Sequence, residues 1–328
     1  MLITLLKKYL APYKRMVALS FVLLLGQAMA TLYLPNLNAD LINNGVAKGD
    51  VGYILHIGLI MLASSTVVII VSIWIAYLAS KISMSFGRDL RAAVFKQVQS
   101  FSTQEIGKFG AATLITRNTN DVQQIQMVLF MGVSMMIAAP ITAIGAMIMA
   151  IHTNAHLSLL LLVSVPLLAL VITLLLRQIV PLFRMTQKKI DRINLILREQ
   201  IAGVRVIRAF VKRNQEEIRF ADASNDLMQT QLKVTRMFAI MFPILFLILN
   251  ASSVAVIWFG GKLISVDKMQ IGSLTAFLAY LMQILANVMM AVMMSLMIPR
   301  AEASAERVQE ILKTQTSIKE NSSAVEKV

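Results

Sequence analysis

The sequence contains no cysteine. That excludes disulfides, thiolate metal sites and a cysteine nucleophile, and it points to no particular compartment. Charge is also scarce. Asp, Glu, Lys and Arg make up 15% of the 328 residues, where a soluble domain carries about a quarter. Acids are scarcer than bases, 17 against 31. In their place stands apolar material: 57% of residues are hydrophobic and the mean hydropathy is +0.72. So much apolar surface has no aqueous core to hide in, which excludes disorder and argues against a soluble two-domain enzyme. A bilayer is the expected solvent.

Stretches free of Lys, Arg, Asp and Glu run over 16–39, 51–80, 122–176, 237–261 and 269–299. A membrane-crossing helix needs about 20 apolar residues, so the third run is too long for one crossing. His152-Thr153-Asn154-Ala155-His156 interrupts it as a polar turn. The two histidines have no acid nearby, so they read as a turn and not as a metal site. Six spans result, about 16–39, 54–80, 127–151, 157–176, 237–261 and 272–298. The N-terminus lacks the small-residue cleavage site of a signal peptide. Residues 1–15 are short, apolar and basic, and predict a helix lying in the inner interface, stopped by Pro12.

The basic charge is explained by orientation. Lys and Arg number 28 in 1–15, 81–121, 177–236 and 300–328, against 3 in the alternate segments 40–50, 152–156 and 262–268. The positive-inside rule then puts both termini and both long loops in the cytoplasm of a plasma-membrane protein. No basic patch with interleaved aromatics exists to hold nucleic acid.

The inner loops hold few prolines or glycines. Ile190, Ile193, Leu197, Ile201 and Val204 recur at three- and four-residue spacing, which predicts one apolar helix face. A single helix over 157–205 would be roughly 70 Å long at 1.5 Å per residue, about twice the bilayer. Each inner loop therefore reads as two long helices joined by a short turn. The first turn falls at 101–110, where Ser102 and Glu105 form a capping-box pattern and Gly107 and Gly110 permit reversal. The second falls at 206–214, with no glycine or proline to mark it.

Several motifs follow in order. They are Pro35, Asp40, Gly45 and Gly49-Asp50; Asp89-Leu90-Arg91; Phe101-Ser102; and Leu114-Ile115-Thr116-Arg117-Asn118-Thr119-Asn120-Asp121-Val122. Then come GVRVIRAF at 203–210, Glu216-Glu217 with Phe220, Trp258-Phe259-Gly260-Gly261, and Ile271-Gly272-Ser273-Leu274-Thr275-Ala276-Phe277. Last is the stretch from Arg300 to Val308. The ordered set covers about 1–318 and resembles the transmembrane domain of ATP-binding cassette (ABC) exporters, in particular subunits of bacterial heterodimeric multidrug exporters.

The resemblance implies an all-α, six-helix domain over 16–299 that pairs with a second transmembrane domain, more often of a different chain than of the same one, and exchanges a helix pair with it. It also implies a linker over 300–328. Two short coupling helices would dock on nucleotide-binding domains: Ser102, Thr103, Gln104, Glu105, Ile106, Gly107 and Lys108, then Ile207, Arg208, Ala209, Phe210, Val211, Lys212 and Arg213. ATP and Mg2+ would bind those domains and drive alternating access.

The phosphate-cradling motif G-x-x-x-x-G-K-[ST] does not occur: Phe109 and Leu263 follow the two Gly-Lys pairs, and Ser102 and Val256 stand where the first glycine should be. The motor is left to a continuation of the chain or to a separate polypeptide, so this chain alone is not an enzyme and carries no cofactor. A motor-less membrane scaffold or sensor of the same fold is the alternative. Candidate cavity residues are Gln27, Phe130, Met131, Met135, Phe242, Phe246, Asn250, Gln283, Asn287, Met290 and Met294. They are amides costly to leave in lipid, aromatic faces, and methionines suited to varied apolar cargo. Helix packing explains the methionines equally well, as interhelical hydrogen bonds explain the amides. No acid lies in the charge-free runs, so the expected cargo is a hydrophobic drug or lipid.

Orientation is testable directly, because a single cysteine can be placed anywhere in a cysteine-free chain. A cysteine at 105 or 212 should react with an impermeant maleimide only after the cells are opened; labelling of intact cells would reverse the topology.

Overall fold

The computed structural model describes residues 1–295 and 297–317. The end of the expected linker, 318–328, and the side chain of Met293 lie outside the described residues. No strand occurs among those that are described. In hydrocarbon a helix satisfies every backbone N–H and C=O within one segment, and this chain takes that solution throughout.

The helices are α1 (Leu2–Leu10), α2 (Lys14–Asp40), α3 (Val51–Gln99), α4 (Thr103–Phe109), α5 (Ala111–Thr116) and α6 (Val122–Met131). After them come α7 (Ala138–Thr153), α8 (Ala155–Ala209), α9 (Arg213–Ser265), α10 (Ile271–Ser295) and α11 (Ile298–Lys313). Among the described residues six stretches are long and apolar enough to cross a membrane: Leu2–Val46, Val51–Gln99, Ala111–Thr153, Ala155–Ala209, Arg213–Ser265 and Ile271–Ala291. Their outward faces are apolar. On α3, Leu55, Leu59, Leu62, Ile69, Ile73 and Trp74 are all more than half exposed, a lipid-facing surface. Pro299 lies in the first turn of α11, where its missing N–H costs nothing.

The chain divides into two compact units, Met1–Ser158 with Phe259–Val328, and Leu159–Trp258. In the first, α10 packs on α7 and α2, while α3, α6 and α11 share a second cluster with α1. Ile82, Phe86, Leu90 and Val94 of α3 are fully buried at four-residue spacing, and Ala301, Ala305, Val308 and Ile311 of α11 meet the same core. Close approaches are made at glycines. A side chain on Gly272 would lie 2.2 Å from the Ala39 carbonyl oxygen, and its N–H donates to Asn43 Oδ1 at 2.8 Å.

The second unit is a hairpin of α8 and α9. Ring contacts and hydrogen bonds cross it at Phe183–Phe238, Lys189–Asp226, Glu199–Arg219 and Gln200–Glu216. These pairs are antiparallel and converge on a reversal near residue 210. The inward face matches the expected one only in part. Ile190 and Ile193 of the expected stripe are half-buried, but Ile196 at 1% exposed and half-buried Gln200, Gly203 and Ile207 continue the face, whereas Ile201 is 75% exposed and Leu197 and Val204 are exposed. Apolarity alone set the expected stripe. Which face α9 covers follows a seven-residue repeat instead, with Ala223 and Thr230, then Val234, Met241 and Ile248, buried on α9.

Asp121 closes the first unit. Its carboxylate is 5% exposed and accepts from Arg307 Nε at 2.8 Å, from Arg307 Nη2, and from the Ser304 hydroxyl at 3.0 Å. Beside it Arg117 donates to Glu310 at 2.7 Å and to the Arg307 carbonyl at 3.0 Å. Asp121→Asn should loosen α11 by about 1–3 kcal/mol, the range for a disrupted buried charge-assisted bond. Hydrogen exchange of the 304–311 amides should then speed up while α10 is unchanged; equal rates in both proteins would sink the assignment.

Candidate functional site

Two chain reversals carry the expected docking residues. At the first, Ser102 caps α4. Its hydroxyl accepts from the Gln104 N–H at 3.2 Å, and Glu105 Oε2 accepts from the Ser102 N–H at 2.7 Å, completing a capping box. The rings of Phe101 and Phe109 stack at 5.9 Å across the base of α4. Gly110 makes the reversal at φ 76, where a β-carbon would be strained. Gly107 does not share that task, because it sits inside α4 with ordinary helical backbone. Thr103, Gln104, Ile106, Gly107 and Lys108 are exposed.

Glu105 has a second partner, which sequence reasoning missed. Its Oε1 accepts from the Ser317 N–H at 3.2 Å, while the Ser102 and Ser317 hydroxyls lie 2.8 Å apart. Gln97 donates to the Thr314 carbonyl at 2.8 Å. The segment after α11 is therefore laid along the end of α3 and onto α4. Hydrogen bonds from the Ser102 side chain and backbone, then from Ser317, lower the Glu105 pKa to about 2. The folded state favours the carboxylate, so this contribution is complete above the ordinary carboxylate range and is lost as pH falls toward 2. The missed signal was a pairing across more than 200 residues, which local spacing does not reveal.

The second reversal has no separate short helix. α8 runs to Ala209, Phe210 and Val211 turn, and α9 begins at Arg213, so Ile207, Arg208 and Ala209 end one helix and Arg213 starts the next. The Lys212 N–H donates to the Ile207 carbonyl at 3.0 Å and the Val211 N–H to the Arg208 carbonyl at 3.2 Å, a Schellman closure. That closure needs a left-handed residue, and Val211 supplies it at φ 53, where glycine is the ordinary choice. The strain sits at the most exposed point: Val211 is 85% and Phe210 72% exposed. Ile207, Arg208, Arg213, Glu216 and Phe220 line a cavity of about 480 Å3 behind the turn.

The candidate cavity residues fall in both units. Gln27 Nε2 donates to the Ser72 hydroxyl at 2.8 Å, an interhelical bond from α2 to α3. Phe130 lines a pocket of about 240 Å3 with Ser80, Ser83, Met84, Gln123 and Gln126. Met131 is half-buried, Met135 exposed. Gln283, Asn287, Met290 and Met294 recur every three or four residues on one face of α10, half-buried to exposed. Phe242, Phe246 and Asn250 lie exposed on α9, where Asn250 donates to the Phe246 carbonyl of its own helix at 2.8 Å.

Val211→Gly should stabilise the protein by about 1 kcal/mol, the relief of left-handed strain less the entropy of glycine in the unfolded chain. The apparent Tm of the detergent-purified protein should rise; a fall would show that Val211 makes packing contacts worth more than the strain.

The family model described as the ABC transporter transmembrane region matches residues 17–288. An uncharacterized ABC transporter ATP-binding protein of Mycobacterium tuberculosis is 45% identical over 318 residues, 97% of this chain and 55% of the relative. YfiB of Bacillus subtilis, also an uncharacterized ABC transporter ATP-binding protein, is 30% identical over 307 residues, 94% of this chain and 54% of its own length. A fatty acid ABC transporter ATP-binding/permease protein of Mycobacterium bovis is 28% identical over 199 residues, 61% of this chain and 32% of the relative. The chain thus spans about half the length of the relatives matched over nearly all of it. By the family match and these identities, this all-α multi-pass membrane chain belongs to the ABC transporter transmembrane region family.

Proposed function

We propose that the chain is the substrate-translocating part of an ATP-driven exporter that moves hydrophobic drugs or lipids by alternating access. The observation that carries this reading is the pair of tips: a capped, rigid α4 and a strained, exposed Phe210–Val211 turn. Short rigid ends transmit motion only through contact, and both present surface for a partner. That partner is a nucleotide-binding domain, which holds ATP and Mg2+; the naming of the relatives as ATP-binding proteins and their greater length support it. Both tips, like both termini, lie on the cytoplasmic side of the plasma membrane by the charge asymmetry.

A second transmembrane domain completes the translocation path, and a helix hairpin that forms its own compact unit is suited to exchange between the two. The cargo is selected by apolar and aromatic surface. In the first unit the Gln283–Met294 face of α10 and Met135 offer amides and adaptable thioethers; in the second, Phe242 and Phe246 offer rings. Carboxylates are missing from the charge-free runs, so a cation finds only ring faces, worth about 0.5–2 kcal/mol. The relative named as a fatty acid transporter fits a lipid-like cargo.

Two measurements test this. Phe210→Ala should leave membrane insertion intact and weaken docking of the nucleotide-binding domain, where an exposed aromatic anchor is worth about 2 kcal/mol or more. A complex in which Phe210 and Ile106 both stay solvent-exposed would overturn the coupling role. Vesicle uptake should accept neutral and cationic dyes of similar shape at comparable rates. Strict cation selectivity in a homodimer of this chain would refute the cargo class.

A further inference from the structure

We propose that the groove between α1 and the start of α2 is a binding site for one anionic phospholipid. The groove has a volume of about 600 Å3, within the roughly 300–1,000 Å3 of ordinary ligand sites. Its walls include Leu6 and Leu10 of α1, Val17 and Phe21 of α2, and Val133 and Ile137 after α6. Val133 belongs to a π-helical stretch, Gly132–Met136, a local irregularity found often where helices make binding surfaces. The one neutral polar side chain in the wall, Ser20, gives its hydroxyl to the Met16 carbonyl at 2.9 Å and so asks nothing of an occupant.

Two lysines, Lys7 and Lys14, also line the groove, and no acid does. Both are exposed, and neither forms an ion pair among the described residues. The carboxylates that bond to this stretch of chain are already engaged. Glu302 accepts from the Met1 ammonium and the Leu2 N–H, and Asp89 from the Tyr13 hydroxyl and Arg88. An anion is therefore the missing partner of the lysines.

The position along the membrane names the kind of anion. Lys14 is the first residue of α2, and the first charge-free run begins at residue 16. Phe21 lies roughly 10 Å and Leu24 roughly 15 Å further along the same helix at 1.5 Å per residue. The groove thus starts cationic at the edge of the hydrocarbon and becomes apolar inside it, save for the internally bonded Ser20. A phosphate headgroup against Lys7 and Lys14, with an acyl chain laid past Val17 and Phe21 toward Val133 and Ile137, matches both ends. Free phosphate would leave the apolar walls bare, and a zwitterionic lipid would bring a competing ammonium to the lysines. The inference does not rest on the transport reading, because it concerns a site that the lipid occupies whether or not cargo moves.

The test uses the full-length protein in nanodiscs of equimolar phosphatidylglycerol and phosphatidylcholine, with retained lipids counted by native mass spectrometry. One phosphatidylglycerol per chain should survive in preference to phosphatidylcholine by about tenfold or more, the weight of two juxtamembrane lysines on an anionic headgroup. Lys7→Gln with Lys14→Gln should bring the two lipids to equal retention, and Ile137→Trp, which fills the furrow, should lose both. Unmodified protein supplies a readout free of folding artefacts: phosphatidylglycerol with a diazirine in its acyl chain should label the 133–137 segment. Equal retention of the two lipids by the unmodified protein, or label spread evenly over the exposed face of α3, would overturn the site.

Discussion

A carboxylate buried in an apolar helix bundle is tolerated only when it is fully partnered, and Asp121 is the point from which one end of the first unit is organised. Arg307 and Ser304 of α11 satisfy it, so α11 must lie against the chain that follows α5. Once α11 is there, its apolar stripe completes the core of α3 and α6, and Glu302 receives the start of α1. The segment beyond α11 then reaches α4, where Glu105 takes its backbone. Breaking the Asp121 contacts would leave an unpaired charge in the core, so the arrangement holds or fails as a whole.

The rest answers to the solvent. A bilayer offers no partner for backbone N–H and C=O groups, so the chain spends itself on continuous helices up to 55 residues long. α3 and α8 are each far longer than a bilayer requires, and their polar ends carry the first unit and the hairpin beyond the apolar zone. The two tips are built differently for a physical reason. α4 has a Ser–Glu capping box and a glycine, which make a short helix self-sufficient. The α8–α9 turn has neither, and it closes through a valine forced into the left-handed region. Strain of that kind persists only when the surrounding structure imposes it, and here the antiparallel pairs on either side do so.

The chain belongs to the ABC transporter transmembrane region family and spans about half the length of these relatives. Each of its two compact units carries one of the exposed tips. The groove at α1, with its lysines and apolar walls, belongs to the lipid side of the same molecule and not to either tip.

By itself the sequence determined what depends on local pattern. Charge-free runs gave six spans, the number of stretches long and apolar enough to cross among the described residues, since hydrocarbon excludes charge over a fixed length. The His152–His156 turn appears as the break at Asn154, and Ser102 with Glu105 forms the expected capping box, because both are settled within a few residues. Only the tertiary structure decided which face of α8 is inward, since Ile201 and Ile196 are equally apolar and α9 alone chooses between them. It decided that Gly107 stays helical and that Val211 makes the second turn without a glycine. It also decided the partners of Asp121 and the second partner of Glu105, which lie more than 180 residues away. Periodicity carries no information about pairings at that separation; they follow from how whole helices stack.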